Sequence, residues 1–230
     1  MTKRFIRISI VILISVSCYS QNKIDFTPTF IESEETTHKI PKGQEYTFGY
    51  LEVLENRNKR SGNRIKLPIY IFKSRSKNPK PDPILYTVGG PGYTSMRASQ
   101  YMKYYKYLDD RDFILFEQIG TQYAKPSLDF PEWAHAVYES NLPNFDTTKT
   151  DSLFQKAAKI CNERLRKNGI DLNSYTTNQI AADINDLINV LVIEEYNLLT
   201  MSYSTKIGQV LVRDYTDKIR SVVMDSPLPL

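Results

Sequence analysis

Cysteine and histidine are nearly absent from this chain, with two of each among 230 residues. The cysteines are Cys18 and Cys161, and Cys18 falls inside an N-terminal leader-like segment. With cleavage after Ser20 only Cys161 remains, so no disulfide closes within residues 21–230 even in an oxidising compartment. Cys161 sits in a helical pattern, which fits a buried, inert thiol better than a nucleophile. No metal-ligand cluster, phosphate loop or dinucleotide fingerprint is present, so no cofactor and no metal is implied. Charge imbalance is lacking too: losing Lys3, Arg4 and Arg7 with the leader takes the formal net charge from +4 to about +1. That balance gives no electrostatic case for a nucleic-acid partner. Past the leader no apolar run reaches membrane-spanning length.

What is present begins with the leader itself. Met1 to Ser20 combines a basic start, a short apolar run from Ile8 to Val16 and a small polar end, the three-part form of a secretory signal. Cleavage after Ser20 is the preferred reading. Cleavage before Cys18 with a lipid anchor on Cys18 is the alternative, although Ser15 stands where a lipoprotein signal prefers a branched aliphatic. The mature chain is then expected outside the cytoplasm, periplasmic or secreted, or tethered there by lipid. Its length suits one sizeable core.

Residues 21–44 are polar and are expected to wrap the surface. Glu45 to Leu54 and Ile65 to Lys73 read as strands, joined by the charged run Glu55 to Arg64, expected as a solvated hairpin turn. Ile84 to Val88 is a short buried strand, Met96 to Leu108 a helix, and Phe113 to Phe116 a run of parallel-strand type. Gln118 to Asn144, with three prolines, reads as irregular. Helical spacing returns over Asp151 to Lys167 and again after a cap at Thr177 or Asn178. Tyr196 to Met201, a helix from Ser204 onward and Ile219 to Asp225 close the pattern. Strands and helices in alternation predict an α/β fold with a mostly parallel sheet and helices on both faces.

Two stretches carry chemistry. In Thr200-Met201-Ser202-Tyr203-Ser204 an apolar strand climbs to a serine and turns at once into a helix. Such a turn lifts the Ser202 hydroxyl clear of the backbone, and the helix start beneath it favours developing negative charge. Gly89-Gly90-Pro91-Gly92 follows a strand directly, where glycines let backbone N–H groups approach a substrate oxygen. Gly90 would supply one oxyanion donor and Tyr203 the other; the bland alternative for G-G-P-G is a plain tight turn.

These residues, in this order, resemble the secreted α/β-hydrolases of the proline iminopeptidase and tripeptidyl aminopeptidase group. The likeness runs from about Phe48 to Leu230. It is carried by Lys80 to Tyr86 leading into Gly89–Gly92, by Asp112 to Thr121, by Asn168 to Leu172 with Tyr175-Thr176-Thr177, by Ala181 to Ile184, by Ser202-Tyr203 and by Arg220 to Pro227. The resemblance implies an α/β-hydrolase fold and a serine peptidase with Ser202 as nucleophile. It also implies Gly90 and Tyr203 as oxyanion donors, and a peptide or small ester as substrate. In the group a helical cap binds the substrate's free amino group.

Three departures stand against full activity. Thr200 and Ser204 replace the glycines that flank the nucleophile, and Glu117 to Gln122 reads E-Q-I-G-T-Q where the group has D-Q-R-G-T-G. The fold places the acid and the histidine after the serine, yet the 28 residues after Ser202 contain no histidine. His38 and His135 both precede it, and loss of a triad member costs about 10⁴ to 10⁶ in rate. The chain is therefore expected to be an inactive N-terminal half of a hydrolase, incomplete at its C-terminus and lacking the cap. A non-catalytic binding domain and an esterase on the same scaffold are the rivals.

Overall fold

The structure is a computed structural model that describes residues 26–59 and 62–230. The leader expected over residues 1–20, Cys18 included, lies outside the described residues. Strands β1 (Thr29–Glu32), β2 (Tyr46–Leu54), β3 (Arg64–Phe72), β4 (Ile84–Thr87), β5 (Phe113–Phe116), β6 (Tyr196–Met201) and β7 (Ile219–Asp225) form one sheet in the order β1-β2-β3-β5-β4-β6-β7. The first three pairings are antiparallel and the last three parallel, so β2, β5, β4, β6 and β7 all run one way. This is the expected mostly parallel α/β sheet, with an antiparallel margin at its N-terminal side.

Alternation sorts the side chains of β2, β3 and β5 onto two faces. Leu51, Val53, Ile65, Leu67, Ile69, Ile114 and Phe116 point to one; Phe48, Tyr70, Phe72, Phe113 and Leu115 point to the other. Helices α3 (Thr177–Val190) and α4 (Ser204–Asp214) cover the first face through Ile184, Leu187, Ile207 and Leu211, none with any exposed surface. Each such side chain contributes about 1.5–3 kcal/mol by leaving water. The second face is covered by residues 96–109, so the sheet is covered on both sides.

Residues 96–109 are two 3₁₀ helices, Met96–Tyr104 and Lys106–Asp109, rather than the α-helix expected there. The reason lies in the spacing: Met96, Ser99, Met102 and Leu108 are the buried positions. Met96, Ser99 and Met102 recur every three residues, which keeps them on one line only at three residues per turn, and Leu108 adds to the same face from the second helix, past the extended Tyr105. Helix α1 (Pro131–Ser140) occupies part of the stretch read as irregular, with Pro131 at its first turn, where the missing N–H costs nothing. It packs on α2 (Thr150–Lys167) through Trp133 against Phe154 and a two-pronged Arg164–Glu132 pair. The cap of α3 is Thr176, whose hydroxyl accepts from the Gln179 N–H, one residue earlier than expected.

The charged hairpin is solvated only in part: Asn58, Lys59, Asn63 and Arg64 are exposed, whereas its Glu55 end is buried. Glu55 is 2% exposed and accepts from the Asp171 N–H at 3.1 Å, the Tyr175 hydroxyl at 3.0 Å and Asn63 at 2.9 Å. Arg57 lies between Asp183 and Asp186 on α3, and Lys59 pairs with Asp171. The run of charge in the sequence is thus a clamp joining the β2–β3 turn to α3.

Candidate active site at the serine turn

Ser202 sits between β6 and α4 with φ +54°, in the left-handed region that a non-glycine residue adopts only under strain. The turn is held from three sides. The Ser202 N–H donates to the Asp225 carbonyl at 2.8 Å, which ties it to the end of β7. Its carbonyl accepts from the Thr205 N–H at 2.9 Å and the Thr205 hydroxyl at 2.6 Å. Gly89 presses against it: a β-carbon on Gly89 would stand 2.7 Å from Ser202 Cβ and 2.7 Å from the Met201 carbonyl oxygen. Only glycine fits there, and the glycine loop and the serine are brought together as the sequence predicts.

Gly90 (φ +119°) and Gly92 (φ +97°) turn the loop through backbone conformations closed to other residues. Among the described residues the Gly90 and Tyr203 N–H groups donate to no other protein atom. Both flank the serine turn as unspent donors, and Tyr203 caps the start of α4, where the helix dipole favours negative charge.

The altered flanks of the serine are built into the packing. Ser204 is fully buried; its hydroxyl accepts from the Met201 N–H at 2.8 Å and donates to the Thr87 carbonyl at 2.7 Å, joining β6 to β4 beneath the turn. Thr200 is also fully buried and faces Gly208 of α4; a β-carbon on Gly208 would lie 3.4 Å from Thr200 Cγ2 and Oγ1. The glycine that lets helix and strand approach is on the helix here, not two residues before the serine.

The segment after β5 fixes the glycine loop, a role the sequence reading did not assign to it. Gln118 Nε2 donates to Thr87 Oγ1 at 2.9 Å and to the Val88 carbonyl at 2.5 Å. Glu117, without exposed surface, accepts at Oε2 from the Thr94 hydroxyl and the Ser95 N–H, both at 2.9 Å. Burial pushes the Glu117 carboxyl up, opposed by these hydrogen bonds. Ile119 packs into the core at 6% exposure, an apolar use of the place where the resembling group carries arginine. The signal for this role was position: a buried acid and amide directly after a central strand.

Beside Tyr203 and the glycine loop opens a cavity of about 440 Å³, lined by Gly92, Gln118, Leu128, Phe130, Tyr175 and Tyr203 among others. Its size falls within the usual range for small-molecule sites.

No imidazole serves the serine. His38 is engaged with the Tyr123 hydroxyl at 3.3 Å and Thr37 Oγ1 at 3.0 Å, and burial followed by Arg97 lowers its pKa. His135 is on α1 with Glu139 as its neighbour at 3.8 Å. The Asp225 carboxylate is exposed and accepts from the Ser226 hydroxyl, while its carbonyl holds Ser202. Burial raises the Cys161 thiol, first among its influences, as an inert core residue requires. Among the described residues no cluster of His, Cys, Asp or Glu could hold a metal ion, and no helix is long and apolar enough to cross a membrane.

A serine on a strained strand–helix turn, faced by a glycine loop over a sheet of this direction pattern, defines the α/β-hydrolase fold. Within that class the sequence is homologous, weakly, to tripeptidyl aminopeptidase. The Streptomyces coelicolor and Streptomyces lividans enzymes are each 26% identical over 188 residues, which is 77% of this chain and 34% of theirs. The chain spans about a third of the length of these curated relatives. No protein-family profile matches it. Similar solved structures include a probable hydrolytic enzyme of Pseudomonas aeruginosa PAO1, with 12% identity, coverage of 85% of this chain and 44% of that one, and TM-score 0.49. Proline iminopeptidase of Mycobacterium smegmatis has 16% identity, coverage of 75% and 42%, and TM-score 0.42.

Proposed function

We propose that this chain carries the nucleophile and oxyanion half of a serine hydrolase of aminopeptidase type. The observation that carries the reading is Ser202 at φ +54° against Gly89, with the Gly90 and Tyr203 N–H groups unspent beside it. In the reaction Ser202 Oγ attacks the carbonyl carbon of a peptide near its free N-terminus, passing its proton to a base. The carbonyl oxygen, now an oxyanion, accepts from Gly90 and Tyr203; the amine leaves with a proton, and water then releases the acyl group. Each such donor contributes about 2.7–4 kcal/mol to the transition state. The 26% identity to tripeptidyl aminopeptidase over 188 residues supports peptide over ester as the substrate. Export follows from the leader at residues 1–20 and belongs to the same proposal.

One specific observation favours a second reading. Neither histidine hydrogen-bonds Ser202, so the scaffold alone, used for binding, also fits. Intact-mass mapping after incubation with an activated tripeptide ester separates the readings. An acyl adduct on Ser202, formed faster with a free amino terminus than with an acetylated one, supports the aminopeptidase reading. Faster acylation by a simple acetate ester moves it to an esterase. Equal adduct in the wild type and in Ser202→Ala removes it.

A further inference from the structure

The cavity beside the serine turn is selective in what it leaves free. The hydroxyls that line it are engaged with the protein: Tyr175 donates to Glu55 at 3.0 Å, Tyr203 shares a hydrogen bond with Thr177 at 2.9 Å, and Thr121 donates to the Gln118 carbonyl at 2.7 Å. The Gln118 amide is committed to Thr87 and Val88. These residues therefore present carbon faces, continued by Leu128 and by Phe130, which is 38% exposed. The free polar side chains on the wall are Gln122 and Asp129, both exposed, and Asp129 is its one charged residue among the described residues. Arg164 reaches Asp129 but donates to its carbonyl at 2.8 Å, so the carboxylate has no hydrogen bond or ion pair among the described residues. The Arg164 charge is matched by Glu132 and acts on Asp129 only through space. The backbone around Asp129 is pinned by that bond and by the Leu128 N–H, which donates to the Gly120 carbonyl at 2.8 Å.

We propose that this cavity holds the part of the peptide that Ser202 would take as its acyl group, selecting an apolar or aromatic side chain, with Asp129 receiving the free α-ammonium group. The inference rests on Ser202 and its oxyanion donors as the reacting half. Tyr203 joins the two: its N–H is an oxyanion donor and its ring belongs to the cavity wall, so the acyl part of a bound peptide lies against that wall. An apolar side chain replaces water along carbon faces whose polar ends are already satisfied. An ammonium group gains the one unpaired charge, whereas a peptide carboxylate meets like charge and an acetylated terminus gains nothing. The ammonium receptor is thereby placed on the segment leading into α1, within this chain. Because Asp129 is exposed, its pair with the ammonium changes affinity several-fold rather than by orders of magnitude. The pinned backbone spares the cost of ordering the receptor on binding.

Calorimetric titration of the 230-residue chain with three peptide amides tests the proposal: alanyl-alanyl-phenylalanine amide, its N-acetylated form, and alanyl-alanyl-glutamate amide. The free-amine phenylalanine peptide is expected to bind several-fold more tightly than its acetylated form and at least tenfold more tightly than the glutamate peptide. Asp129→Asn lowers the free-amine form to the affinity of the acetylated one, and Asp129→Lys turns the preference toward the glutamate peptide. Both variants keep the wild-type melting temperature, since the carboxylate bonds to no other residue, so lost discrimination is not lost fold. Absent binding, equal affinity of the free and acetylated forms, an amine preference that survives Asp129→Asn, or a glutamate peptide as tight as the phenylalanine one overturns the proposal. Acylation of wild-type Ser202 by an activated, acetylated tripeptide ester, read by intact mass, reports on the serine alone. Acylation without any amine preference in the titration sinks the Asp129 assignment and leaves the hydrolase reading standing. An amine preference without acylation keeps the assignment as a peptide-binding site and sinks the hydrolase reading.

Discussion

Thr200 lies against Gly208, so that the threonine methyl and hydroxyl occupy the space that a larger residue on α4 would need. The contact couples the strand leading to Ser202 with the helix leaving it. Alanine at 208 just fits, at 3.4 Å from Thr200 and from the flexible end of Met224, and gains about 0.8–1 kcal/mol of helix propensity. Gly208→Ala is therefore expected to be neutral or stabilising. Gly208→Val overpacks the contact and costs about 1–3 kcal/mol. Adding Thr200→Ala to Gly208→Val recovers part of that loss, which urea denaturation of the four proteins in the cycle measures.

Gly89→Ala is expected to be far less tolerated. Its β-carbon would fall 2.7 Å from the Met201 carbonyl oxygen, a backbone atom that cannot swing aside. The turn at Ser202 must shift, with a loss of about 3 kcal/mol or more through strain and broken contacts. Thermal denaturation reads the loss; unchanged stability would contradict the placement of the loop.

Removing Arg57 takes the donor away from Asp183 and Asp186, Asp183 with no exposed surface. Arg57→Ala is expected to destabilise the protein by about 1–3 kcal/mol. The same cluster gives a pH dependence. Burial, first among its causes, raises the Asp183 carboxyl to about 8 despite Arg57, with Asp186 adding to the rise. A carboxyl whose folded pKa lies above its unfolded value holds its proton more tightly when folded. Its stabilising effect is complete below the unfolded value near 3.8 and is lost as pH rises through about 8. Asp183→Asn removes this slope between those limits while keeping hydrogen-bonding groups in place. Denaturation midpoints across that window, in both proteins, check the sign.

Glu117 is expected to act on the glycine loop from behind. Glu117→Ala leaves the buried Ser95 N–H without an acceptor and costs about 1–3 kcal/mol. Hydrogen exchange of residues 89–95 should rise in that variant while the amides of β2 and β3 keep their protection. Uniform change across the sheet would show that Glu117 does not act on the loop.

The serine turn and its glycine partner were legible in the sequence because each is a local signal: a strand, then a glycine cluster, and a strand, then a serine and a helix. The clamp at Glu55 and Arg57 was not, since its partners Asp171, Tyr175 and Asp183 lie more than a hundred residues away and a charge run looks alike in water or against a helix. Helix α1 was hidden by the prolines around it, although Pro131 at its first turn is a start signal rather than a breaker. Over residues 96–109 apolar content indicated a helix, but only its period of three distinguished 3₁₀ from α. Thr200 reads in the sequence only as a missing glycine because its packing partner, Gly208, is six residues past the serine and unmarked by any motif.

The proposed function holds that Ser202 is poised for attack and lacks only a proton acceptor among the described residues. Its most direct test is the rate at which a fluorophosphonate labels Ser202 in the 230-residue chain, followed by mass spectrometry as imidazole is added to the solution. The expected result is slow labelling that accelerates with imidazole concentration and is absent in Ser202→Ala. Rapid labelling without imidazole would place a working base within the chain, and labelling indifferent to both imidazole and the Ser202→Ala change would contradict the account.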